Sequence, residues 1–234
     1  MLILFVLGIC MASFMYHFVC ISNINFSVLT KRSKCMTCEH KLKFLDLIPI
    51  ASFLYLNGRC RYCHAKIPRD LLIVEILLGL LFLLPVFSPL LDETKLYYLL
   101  MIFLIPLSFY DIKCLVIPNH MLFVMLIVEI VMFAHSQIHF QSSCYIIFML
   151  HVLYFISNKG IGYGDIKLLS IMSLIMDWYQ FLLIFTFTFF AAGLYVLIHM
   201  LMRKTRLKCV PLVPFIATAT IVVFNIKNQI FLCF

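Results

Sequence analysis

M-L-I-L-F-V-L-G-I-C-M-A-S-F-M-Y-H-F-V-C-I-S-N-I-N-F, residues Met1–Phe26, contains no Asp, Glu, Lys or Arg. A membrane-crossing helix needs about 20 consecutive apolar residues, and this run supplies them. A cleaved signal peptide would begin with basic residues and end at a small-x-small site. Here Lys31, Arg32 and Lys34 follow the apolar run instead, which describes a retained helix with its N-terminus outside. The same character holds along the chain. Of 234 residues, 65% are hydrophobic and 12% charged, with a mean hydropathy of +1.10. A soluble domain is about a quarter charged, and a fold of this length could not bury so much apolar surface in water. The composition therefore excludes a soluble globular enzyme and a disordered chain. The net charge of +8 orients helices rather than binding nucleic acid, because the basic residues flank apolar runs and no soluble module presents them.

The expected fold is an all-α polytopic membrane protein with about eight transmembrane helices. The expected spans are Met1–Phe26, Leu71–Leu91 (ended by Pro85 and Pro89), Leu96–Tyr110, His120–Ala134, Ser143–Ser157, Asp165–Met176, Trp178–Met202 and Cys209–Ile226. Polar breaks separate them at Asp111–Asn119 and Asn158–Gly164, and the sixth span is the shortest. With the N-terminus outside, the inner segments are Thr30–Asp70, Asp111–Asn119, Asn158–Lys167 and Arg203–Lys208. These hold every Lys and Arg of the chain except Lys95 and Lys227, as the positive-inside rule requires. The domain organisation expected is a first transmembrane helix (1–29), a small cytoplasmic domain (30–70) and a multi-helix intramembrane domain (71–234). No internal repeat is expected.

Four of the ten cysteines form two C-x-x-C pairs, Cys35/Cys38 and Cys60/Cys63. Each pair can grip a tetrahedral ion from one turn, and two pairs close a structural Zn²⁺ site of the Cys₄ kind. Cytoplasmic thiols stay reduced and free for metal. Redox pairs or unmetallated pairs are the alternatives. Four thiolates would fill the shell without the neighbouring His40 and His64. Cys10, Cys20, Cys114, Cys144, Cys209 and Cys233 are expected to be packing residues.

Ionisable groups at membrane depth are costly and mark function; here they are Glu75, Asp111, Glu129 and Asp165. Asp111 closes the third span and Asp165 opens the sixth after G-I-G-Y-G, both on the inner side. Glycines directly before an acid allow close backbone approach, and a helix N-terminus favours its charge. Two aspartates meeting there could share a proton, one activating water and the other protonating a carbonyl. The alternative is that each caps a helix beside Lys113 or Lys167. Glu75 suits an interfacial or supporting role, and Glu129 a structural one.

The chain resembles the type IV prepilin leader peptidase family, the bacterial G-x-G-D intramembrane aspartic proteases of the peptidase A24 type. The resemblance rests on C-M-T-C at Cys35–Cys38, D-L-I-P at Asp46–Pro49, G-R-C-R-Y-C at Gly58–Cys63, Glu75 and Gly79. It continues with Asp111 seven residues before Pro118, and with Gly162-Tyr163-Gly164-Asp165-Ile166-Lys167. It implies that Asp111 and Asp165 are catalytic, with Gly162, Gly164, Lys167 and Pro118 supporting them. It also implies removal of short basic leaders ending in glycine from prepilin or pseudopilin precursors, at the cytoplasmic face of a bacterial inner membrane. Many relatives also methylate the new N-terminus with S-adenosylmethionine, a role in which Glu75 would serve. One departure concerns the first helix: the family pattern G-S-F-x-N, with a basic residue and proline soon after, reads Ala12-Ser13-Phe14-Met15-Tyr16 here. A proton-coupled carrier should show matching halves, and none is evident; a non-catalytic assembly platform would tolerate loss of both aspartates.

Overall fold

The computed structural model describes residues 1–21, 33–35, 37–87, 93–133, 140–157, 160–203 and 209–232. The end of the first expected span toward Phe26, Lys31, Arg32, Pro89 and the basic hinge from Lys204 to Lys208 lie outside the described residues. The regular structure described is helical: α1 (Leu2–Val19), α2 (Ala51–Tyr55), α3 (Arg69–Leu81), α4 (Leu84–Phe87), α5 (Thr94–Cys114), α6 (Asn119–Phe133), α7 (Phe140–Ile156), α8 (Tyr163–Met172), α9 (Trp178–Arg203) and α10 (Val213–Leu232), with a 3₁₀ turn at Phe44–Leu47. The chain divides into two compact units, Met1–Phe109 and Tyr110–Phe234. Among the described residues, four helical stretches are long and apolar enough to cross a membrane: Leu2–Val19, Arg69–Phe87, Thr94–Cys114 and Trp178–Met202. The apolar helices Asn119–Phe133, Gln141–Ile156 and Val213–Ile226 are shorter than that measure.

In the first unit α1 and α3 pack together at a crossing of small residues. A methyl group on Gly8 would lie 2.9 Å from Gly79 Cα, and one on Gly79 would lie 2.7 Å from the Ile9 side chain. Small residues let backbones approach closely where lipid supplies no hydrophobic drive between helices. Beyond α3 the chain kinks at Phe82–Leu83, because Pro85 has no N–H to continue the ladder. The Tyr97 hydroxyl donates to the Leu81 carbonyl (3.3 Å) and the Tyr98 hydroxyl to the Phe82 carbonyl (3.2 Å), satisfying the acceptors left at the break.

In the second unit the ten-residue α8 packs against both α6 and α7. At 1.5 Å rise per residue such a helix covers only about half the hydrocarbon thickness. Ile166, Leu168, Leu169 and Met172 are buried along it, and Ile175 and Met176 beyond it. The Ser143 hydroxyl donates to the Ser173 carbonyl (2.8 Å) just past its end. In the turn that follows, Ser173, Ile175 and Met176 are buried against the protein.

Two features differ from the sequence reading. The third span does not stop before Asp111: α5 runs one further turn, to Cys114, and ends at Leu115, whose φ of 53° breaks the helix ahead of Pro118. The scattered cysteines do not pack inside; Cys10, Cys20, Cys114, Cys144 and Cys209 are exposed, and Cys233 lies outside the described residues.

Candidate active site

Asp111 and Asp165 both belong to the second unit, and the Asp111 carboxylate stands within electrostatic range of Asp165. Asp165 is the third residue of α8, in the turn where the helix dipole favours an acid. Gly162 precedes that helix with an ordinary φ of −62°, so it is needed for space rather than for backbone freedom. A methyl group there would fall 2.7 Å from Asp165 Oδ2. Gly164 faces Ile117, whose Cβ would lie 3.2 Å from an added methyl. The two motifs are therefore packed directly on one another: the segment after Asp111 rests against the glycine before Asp165. Pro118 supplies the carbonyl that accepts the first N–H bonds of α6, from Met121 (3.1 Å) and Leu122 (3.4 Å).

Lys167 is turned away from Asp165. Its ammonium donates to Asn119 Oδ1 at 2.9 Å and stands 4.9 Å over the Tyr163 ring, tying α8 to the start of α6. The buried Asp111 has a partner the sequence did not suggest. Its Oδ2 accepts the N–H of Val213, the first residue of α10, at 3.1 Å, and the Leu212 amide adds a second bond. The available signal was V-P-L-V-P at 210–214: two prolines bracketing a helix start.

In the first unit the four paired cysteines come together, with all four sulfurs within 4.8 Å of one another and Cys35 Sγ 3.8 Å from Cys63 Sγ. Zn–S bonds of about 2.3 Å in a tetrahedron place sulfurs about 3.8 Å apart, so the set fits that ion. Backbone N–H groups of Cys38 and Thr37 lower the Cys35 pKa to about 6. For Cys63 the Ala65 N–H favours the thiolate, but burial and the neighbouring thiols outweigh it and push the value up to about 12. Four thiolates so close need a cation to coexist.

The two cysteine turns also correct the expectation of no repeat. K-C-M-T-C-E-H-K-L and R-C-R-Y-C-H-A-K-I have the same backbone bonds. Cys35 N–H donates to His40 O, as Cys60 N–H does to Ala65 O; Glu39 N–H donates to Cys35 O, as His64 N–H does to Cys60 O. Glu39 and His64, each just after the second cysteine, share a positive φ of 53° and 56°. Isolated bridges Lys34–Lys41 and Arg59–Lys66 close the two turns alike. Nine residues with variable side chains hid the repeat from a reading by composition.

Two models of known families match this chain: the bacterial peptidase A24 N-terminal domain over residues 6–88, and the type IV leader peptidase family over residues 98–197. The prepilin leader peptidase/N-methyltransferase of Bacillus subtilis is 27% identical over 242 residues, covering 97% of this chain and 95% of that protein. The protein of the same name from Myxococcus xanthus is 36% identical over 123 residues, covering 50% of this chain and 36% of its own length. A type 4 prepilin-like proteins leader peptide-processing enzyme of Escherichia coli is 45% identical over 58 residues, or 25% of this chain and 22% of that protein. No solved structure matches. The chain belongs to the type IV leader peptidase family. It is accordingly a peptidase, and its two aspartates lie inside the second matched region while Val213 lies beyond it.

Three further groups in this leader peptidase family member bear on its site. Glu75, 3% exposed, accepts the Ile50 N–H at 2.8 Å and a bond from the Ser13 hydroxyl. It thus ties α3 to α1 and to the segment after D-L-I-P. Ile50 has φ 60°, a costly conformation for a β-branched residue, and the Glu75 bond helps to hold it. Ser13, like Phe14, is retained from the first-helix pattern of the resemblance.

Asp46 Oδ1 accepts both the Nε (2.9 Å) and an Nη (2.7 Å) of Arg61, while Oδ2 accepts the Lys43 N–H (3.1 Å). Burial opposes the Asp46 charge, but Arg61 and the Lys43 amide prevail and hold its carboxyl below the usual range. A carboxyl depressed in the folded state contributes stability above its unfolded value, about pH 4, and loses it as pH falls through the folded value. Hydrogen exchange on the full-length peptidase should therefore show the Asp46→Asn variant less protected at residues 43–47 at pH 7. That difference should close as the wild type is acidified below about pH 4; a gap that persists there would remove the ion pair as its cause.

Glu129 is fully buried, and neither carboxyl oxygen has a hydrogen-bond partner among the described residues. Replacing an orphaned buried polar group by an apolar one of similar shape is neutral or stabilising. Glu129→Met should keep proteolysis and raise the thermal midpoint in detergent. Loss of cleavage at normal abundance would instead place Glu129 in the reaction.

Proposed function

We propose that this peptidase is a membrane aspartic endopeptidase that removes basic leaders ending in glycine from prepilin or pilin-like precursors. The observation that carries the reading is the packing of the Asp111 and Asp165 segments on one another inside one unit, with the two carboxyl groups in electrostatic range. Such a pair supplies what peptide hydrolysis needs: a base for water and an acid for the carbonyl oxygen. Gly162 and Gly164 give the room, Pro118 starts α6, and Lys167 fixes α8 through Asn119. The relatives' names supply the substrate class, and many apolar side chains on the long helices support an inner-membrane, multi-pass location with the site near the cytoplasmic face. An apolar pilin helix could then approach through lipid while its basic leader stays outside it.

In this reading residues 30–70 form a cytoplasmic domain held by Zn²⁺ on Cys35, Cys38, Cys60 and Cys63. The ion would supply structural cross-linking there; Asp46 and Arg61 fasten the intervening 3₁₀ turn to the second cysteine turn. Methylation of the new N-terminus by S-adenosylmethionine is a second activity suggested by the relatives' names. Glu75, placed between α1, α3 and the cysteine domain, is the residue of this chain nearest to such a role. Co-expression with candidate prepilins, followed by mass spectrometry scoring cleavage and N-methylation separately, tests both. A precursor shortened by its leader supports the peptidase; precursors left intact by a well-expressed enzyme refute it.

A further inference from the structure

The two aspartates have unlike surroundings. Asp111 lies in the last turn of α5, where its own helix dipole disfavours negative charge. Its carboxylate instead meets the start of another helix, accepting N–H bonds from Val213 and Leu212. Pro214 has no N–H, and the Phe215 and Ile216 amides are engaged by the Leu212 carbonyl. The Val213 amide is thus the first-turn donor of α10 committed to Asp111. Asp165 contrasts with this: its Oδ1 is buried with no hydrogen-bond partner among the described residues, and Oδ2 lies against Gly162. The dipole of α8 favours charge on Asp165, but a diffuse dipole is weaker than direct N–H bonds to a carboxylate.

Resting on the dyad reading above, we infer that Asp111 is the member that stays charged, held so by the amides opening α10, and that Asp165 carries the proton. Val213 is a positioning residue acting through its backbone. The charged and titratable groups around Asp111 allow this. Asp165 faces it from α8, and Lys167 is engaged by Asn119. Lys113 is exposed on the same helix, His120 lies on α6, and His151 of α7 is bonded to the Ile147 carbonyl. From Val213 to Ile226, α10 has no ionisable side chain.

The reaction then balances. Asp111 takes a proton from water as the water oxygen bonds to the peptide carbonyl carbon, and Asp165 gives its proton to the carbonyl oxygen. The C–N bond breaks as Asp111 passes its proton to the leaving nitrogen. One hydroxyl of the tetrahedral diol returns a proton to Asp165, restoring both groups.

Val213→Pro tests the inference, because proline fits the first helical position and lacks the N–H. The acid limb of the kcat/KM profile should move to higher pH by about one unit. Val213→Ala keeps the N–H and should keep that midpoint, whatever its maximal rate. An unmoved acid limb in Val213→Pro, with Asp111→Asn inactive, overturns the inference and leaves the dyad standing. An Asp111→Asn enzyme that still cleaves overturns the dyad reading and the inference with it. Difference infrared spectra of the full-length enzyme at neutral pH give an answer that does not depend on the proline variant folding. Asp165→Asn should remove a protonated-carboxyl band and Asp111→Asn a carboxylate band; the reverse assignment contradicts the proposal.

Discussion

Asparagine at Asp165 should reduce leader cleavage by about 10³-fold or more, and asparagine at Asp111 should do the same. Each substitution keeps the shape of the side chain and removes the group that exchanges protons. Asp165 already has a buried oxygen with no partner among the described residues, so its amide loses none of the hydrogen bonds seen there. Asp111→Asn can turn its remaining oxygen to Val213. Abundance should therefore stay near normal, separating lost chemistry from lost folding. Because the two carboxyl groups act as one unit, the double variant should be no worse than either single one. Additive losses, measured by single-turnover cleavage of a purified prepilin, would show two independent contributions and contradict a dyad.

Serine at Cys60 should lower zinc from one ion per chain to near none and expose residues 43–69 to protease. Cys60 is the buried member of the cluster, its amide bonded to the Ala65 carbonyl. A structural zinc site supplies roughly 10 kcal/mol of apparent folding energy. Among the described residues, this segment is otherwise organised by the short backbone-bonded cysteine turns, the 3₁₀ turn, the five-residue α2, the Asp46–Arg61 pair and the Ile50–Glu75 bond. Small domains of this size seldom hold without a metal or disulfide. Full metal occupancy in a chain lacking all four thiols, measured by elemental analysis, would refute the assignment.

Membrane character and helical fold were legible because hydropathy is a bulk property, and no local exception in this chain cancels it. The cysteine cluster was legible because paired spacing fixes ligand geometry within one turn. Asp111 and Asp165 stood out as costly charges beside glycine and proline. What the sequence hid were partnerships across long separations. The bond between Asp111 and the Val213 amide spans 102 residues and uses a backbone group, so no side chain announces it. The end of α5 was misjudged for a related reason. Asp111 looked like the start of a polar break, yet a distant donor lets it remain inside the helix until Leu115. Likewise Lys167 lay two residues from Asp165, but that spacing puts them on opposite sides of α8, and the lysine found Asn119.

The central claim is that this chain hydrolyses a leader peptide with Asp111 and Asp165. Its most direct test is intact-mass analysis of a purified prepilin mixed in liposomes with the wild-type enzyme or with the Asp111→Asn/Asp165→Asn double variant. The expected result is a precursor shortened at the glycine ending its leader by the wild type and left whole by the double variant. Leader removal by the double variant, at equal abundance and the same bond, would contradict the account.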